Sequence, residues 1–192
     1  MPVVTARLFA RERLLAQRAQ IERRRLTHGG PHRLLYFHQV DDPYSSLAAQ
    51  CLPQLLARYD VVLQAHVVGP PADAAVPERA RLIAYSRKDA ALLARHWPLD
   101  FVDTGRQPSD DAIERVQRQL VAAAANGQFA TLAGPLTRRL WRDPPAISRV
   151  DAPGQEPELA DSDSTTIHIA AASQLRRRLG GRVAQFEIGR TR

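Results

Sequence analysis

The chain is 192 residues long and 44% hydrophobic, enough for one domain with a buried core, and no window approaches the roughly 18 uninterrupted apolar residues that a membrane span requires. A single cysteine, Cys51, excludes an internal disulfide, a CxxC redox pair and a cysteine-rich metal cluster, and the six histidines show no ligand spacing, so no metal is expected. The net charge of +7 gathers at the ends, in residues 1–30 and 171–192, but every basic residue except Lys88 is arginine and no recognition motif accompanies them, so nucleic acid is not an expected partner.

The opening "MPVVTARLFARERLL" lacks the compact apolar block and cleavage site of a secretory signal, which makes the cytoplasm the expected compartment. Residues 5–26 combine good helix formers with a loose apolar face at Leu8, Leu15, Ile21 and Leu26, and His28-Gly29-Gly30-Pro31 ends them. Residues 1–30 therefore read as a basic leading helix that packs on the domain or meets a partner. "RLLYFHQV", 33–40, is short, apolar and aromatic, as a buried strand should be. Helical spacing follows in "DPYSSLAAQCLPQLLARYD", with Leu47, Cys51, Leu55 and Leu56 near one face, a kink expected at Pro53, and Cys51 expected to be a small buried thiol. "VVLQAHVVG", 61–69, reads as a second strand, parallel to the first across a helical crossover.

After residue 70 the pattern is helical. Residues 78–97 predict a helix with Leu82, Tyr85, Leu92 and Leu93 on its apolar face. Residues 109–125 begin with Ser109 as N-cap and stop at Asn126-Gly127, and 128–141 predict a third helix, broken or bent at Gly134-Pro135. The acidic stretch "DAPGQEPELADSDS" predicts a linker over 151–166, and 167–192 predict a short basic helix with one final strand. Residues 31–150 thus form the main α/β unit, carrying a helical insertion after its second strand.

The segment "YFHQVDDPYSSLAAQCLPQLLARY", residues 36–59, resembles the first strand and helix of the DsbA-like branch of the thioredoxin superfamily. It is most similar to 2-hydroxychromene-2-carboxylate isomerases and kappa-class glutathione transferases. Those families show a hydrophobic strand, then Ser-Pro-Tyr-Ser, then a helix containing Leu-Pro and ending Ala-Arg-Tyr. Here the matches are Asp42-Pro43-Tyr44-Ser45, Leu52-Pro53 and Ala57-Arg58-Tyr59, and the similarity extends over residues 33–142. The resemblance implies a thioredoxin-like α/β fold with a helical insertion, and glutathione-dependent isomerase, transferase or thiol oxidoreductase chemistry. It implies Asp42 and Ser45 in the catalytic position, Tyr44 and Arg79 on the substrate, glutathione or another small-molecule thiol as ligand, and a homodimer or a second DsbA-like domain as partner.

The chemistry of that site has a plain basis. A helix N-terminus offers unpaired amides and about half a positive charge, which together stabilise a thiolate. In the isomerases and kappa-class enzymes the sulfur belongs to bound glutathione and is held by the serine before the proline; in this chain that position is Asp42. Aspartate is a good N-cap and Pro43 suits the first helical position, so capping is the plain reading of the pair. A carboxylate there occupies the amides, repels a thiolate, and is expected to have its pKa lowered by the helix field. The family also completes its sheet with a strand preceded by a cis-proline, and no proline follows residue 165. An incomplete C-terminal half and a degenerate site are therefore expected. Three functions stay open: a glutathione-dependent enzyme, a catalytically silent thioredoxin-like module or leading half of a tandem protein, and an arginine-driven binder of anionic surfaces.

Overall fold

The computed structural model describes residues 2–142, 160–179 and 187–188, with side chains over 11–142 and 160–179. A leading helix α1 (Pro2–His28) precedes strand β1 (Arg33–Gln39), helix α2 (Pro43–Arg58) and strand β2 (Val62–Val68). Helices α3 (Arg79–His96), α4 (Asp110–Ala125) and α5 (Phe129–Arg142) follow. Helix α6 (Ser162–Arg178) and the two-residue strand β3 (Glu187–Ile188) come last. The strands lie in the order β2-β1-β3, with β1 parallel to β2 and antiparallel to β3.

Strand β1 is central because both of its faces are apolar, which is what the continuous run "LLYF" requires. Leu34, Tyr36 and Val40 join Leu52, Val116, Leu120, Phe129 and Leu140 in the main core, under α2, α4 and α5. Phe37 and Leu35 face the other way, onto Val68 and the Ala172, Leu175 and Leu179 side of α6. The sheet is therefore covered on both faces by helices.

Helix α2 runs through Pro53 to Arg58, and α5 runs unbroken through Pro135. Other expectations change in the structure. Gly134 lets α5 approach α2 closely: a Cβ there would sit 3.4 Å from the Cα of Gln50. Cys51 is exposed rather than buried, because its side of α2 opens onto a groove of about 550 Å³ between α2 and α5. On α3 the expected apolar face is the outward one: Leu82, Tyr85 and Leu92 are exposed, while Ser86, Ala90 and Ala94 are buried. Small side chains face α2 there because Leu47 and Tyr44 fill the space between the two helices. Leu15, Ile21 and Leu26 of α1 are likewise exposed.

At the C-terminal side, the segment read as linker up to residue 166 is already helical from Ser162. The Asp161 carboxylate accepts from the amides of Asp163 and Ser164 and so starts α6 as an N-cap. Residues 143–159, most of the expected linker, and most of the final strand region lie outside the described residues. No helix among the described residues is long and apolar enough to cross a membrane.

Candidate functional site

Where β1 ends, the chain turns sharply and enters α2. The Asp42 amide donates to Gln39 O at 3.2 Å, closing the turn, and Asp42 has the extended backbone of a helix N-cap. Its carboxylate accepts from the Ser45 amide at 2.7 Å. The Ser46 amide goes to Asp42 O at 3.2 Å, and Pro43 has no N–H to offer. The Ser45 and Ser46 amides of the first turn are thus committed to Asp42.

Asp42 is half-buried, and its pKa is raised rather than lowered. Burial is the largest cause; hydrogen bonding from Ser45 pulls the other way, and Asp41 adds to the rise. Desolvation therefore outweighs the capping bonds here, which reverses the expectation from sequence.

Ser45 is fully buried, and its hydroxyl accepts from the Gln39 amide at 3.4 Å. The Tyr44 hydroxyl donates to Asp89 Oδ2 at 2.7 Å and ties α2 to α3. Burial, then the Asp89 carboxylate, hold that phenol well above its ordinary pKa.

Arg79 and Asp42 do meet. Both line a small cleft of about 90 Å³ between the β1–α2 turn and α3, together with the polar Gln39, Asp41, Ser86 and Gln107 and the apolar Val76, Leu82 and Ile83. Arg79 is held at the rim: its guanidinium donates to Asp73 Oδ1 at 2.7 and 2.9 Å and to the carbonyl of Pro71. The structure thus brings two of the four expected residues to one cleft and turns Ser45 and Tyr44 into the scaffold behind it.

Behind the turn lies a buried polar chain that periodicity did not single out. Tyr36 Oη lies 3.1 Å from His38 Nδ1 and 3.2 Å from Ser45 O. Tyr36 donating to Ser45 O leaves its oxygen to accept from His38 Nδ1–H, and His38 Nε2, which has no partner, then carries only a lone pair. Burial pushes the His38 pKa down to about 3, so the ring is neutral and acts as structure. Among the described residues, no group of three or more His, Cys, Asp or Glu could hold a metal ion.

Strand, capped helix, parallel strand and helical insertion define a thioredoxin-like α/β fold. Among solved structures the chain is similar to a 2-hydroxychromene-2-carboxylate isomerase, with a TM-score of 0.53 over 81% of this chain and 87% of that one, at 13% sequence identity. The likeness is one of fold, and it bears out the resemblance read from residues 36–59. No family model matches the sequence, and the comparison with curated proteins gives no match.

Proposed function

We propose that this protein is a thioredoxin-like module in which the thiolate site of the fold is closed by its own aspartate, so that it binds through the adjacent cleft and does not run glutathione-dependent isomerase or transferase chemistry. The observation that carries this reading is the Asp42 carboxylate on the Ser45 amide at 2.7 Å. A thiolate placed there would meet a carboxylate where it needs donors, and the serine hydroxyl of the turn is fully buried.

The test is a glutathione-dependent conjugation assay with a chromogenic electrophile, run on the full chain and on Asp42→Asn, which keeps the cap and removes the acid. The expected result is no rate above the uncatalysed reaction for either protein. A rate in the native protein that Asp42→Asn abolishes would overturn the reading and restore the enzyme.

A further inference from the structure

The cleft beside Asp42 has a chemical bias of its own. Gln39 is 7% exposed, lines the cleft, and its Oε1 has no hydrogen-bond partner. Asp41 lines the same cleft, and its Oδ1 is also buried without a partner. With Asp42, three acceptor-bearing side chains line it. Two donors at the cleft are already committed: the Gln107 amide donates to Asp41 O at 2.8 Å, and Arg79 is paired with Asp73.

Buried acceptors without donors are costly, and each marks a place where something from outside can donate. The cleft lies beyond the C-terminal end of β1, the position at which α/β sheets receive ligands. The apolar side chains that also line it, Val76, Leu82 and Ile83, suit a short hydrocarbon stem.

We infer that this cleft takes a primary alkylammonium group, its N–H donors directed at Gln39 Oε1 and Asp41 Oδ1 and its stem against the apolar wall. The inference rests on the reading that the helix start is closed to thiolates, and it names the ligand class of the space left beside it. The same chemistry is carried by free alkylamines and by lysine side chains.

The experiment is isothermal titration of the full chain with n-butylammonium, and in a second arm with Nα-acetyl-lysine-N-methylamide. Tetramethylammonium has the charge without N–H donors and serves as the control. Neither amine contains a thiol, so thiolate chemistry cannot generate the signal. The expected result is millimolar or tighter binding of butylammonium, about tenfold stronger than tetramethylammonium, and weakened about tenfold by Asp41→Asn. Lysine-derivative binding at least as strong as butylammonium assigns the site to a side chain of a partner protein, and weaker binding assigns it to a free amine. Because Gln39 is packed in the strand, Gln39→Leu is used only if its circular dichroism matches the native chain, and it too should weaken binding. No heat with either amine, or equal binding of tetramethylammonium, would overturn the inference and leave the reading of Asp42 standing.

Discussion

At position 42 one carboxylate meets two opposed demands. The first turn of α2 needs an acceptor for its amides, and the space beneath it excludes the water that would stabilise a charge. Capping is local, so Asp42-Pro43 announced it in the sequence; the direction of the pKa shift depends on burial by β1 and α3, which no short stretch reveals. Replacing Asp42 with Ala should cost about 1 kcal/mol of unfolding free energy. The pH dependence is more specific. The folded pKa lies above the ordinary 3.8, so the folded chain holds the proton longer. The contribution is therefore most favourable below pH 3.8 and is lost as pH rises through the folded value. Denaturant titrations of Asp42→Asn against the native chain across pH 3 to 7 should show the difference growing in favour of Asn as pH rises through that range.

Helix α3 shows how an element can be legible in extent and mistaken in orientation. Its bounds, Arg79–His96, fall within the stretch 78–97 that helix formers made readable. Its buried face was not, because hydrophobic spacing weights Leu82, Tyr85 and Leu92, whereas the contact with α2 selects small side chains at four-residue spacing: Ser86, Ala90 and Ala94. Ala90 is fully buried and Leu92 is 61% exposed. Ala90→Leu should therefore destabilise the fold by about 1–3 kcal/mol through overpacking. Leu92→Ala should change it by less than about 0.5 kcal/mol in the monomer. Equal effects in chemical unfolding would contradict the orientation. Helix α6 was shortened in the sequence reading for a related reason: Asp161, Ser162, Asp163 and Ser164 are linker-like in composition, yet Asp161 is what starts the helix.

Across the whole molecule, the sheet and the helical insertion were readable because strand and helix periodicities alternate cleanly over residues 33–142. The polar groups buried between these layers were not readable, since their burial is a product of assembly. His38 lies between Tyr36 and Phe129 on one face of the sheet; His66 and His168, with ring centroids 6.4 Å apart, join β2 to α6 on the other. Burial lowers all three pKa values below the ordinary 6.5, and His168 adds to the shift of His66. Below pH 6.5 the unfolded chain takes up protons that the folded chain resists. The stability these groups contribute is thus fully present above pH 6.5 and is lost as pH falls through their folded values. The midpoint of urea unfolding should decline steadily from pH 7 toward pH 4, and His38→Phe should flatten that decline. A midpoint unchanged between pH 7 and 5 would mean that the histidines are solvated in solution.

The central claim is that the amides opening α2 belong to Asp42. It is tested most directly by following the Ser45 backbone amide by nuclear magnetic resonance, first against pH and then against added glutathione at neutral pH. The account predicts an amide resonance that titrates with the raised pKa of Asp42, loses that titration in Asp42→Asn, and does not move with glutathione. An amide that ignores the titration of Asp42 and shifts on addition of glutathione would show the helix start open to a thiolate.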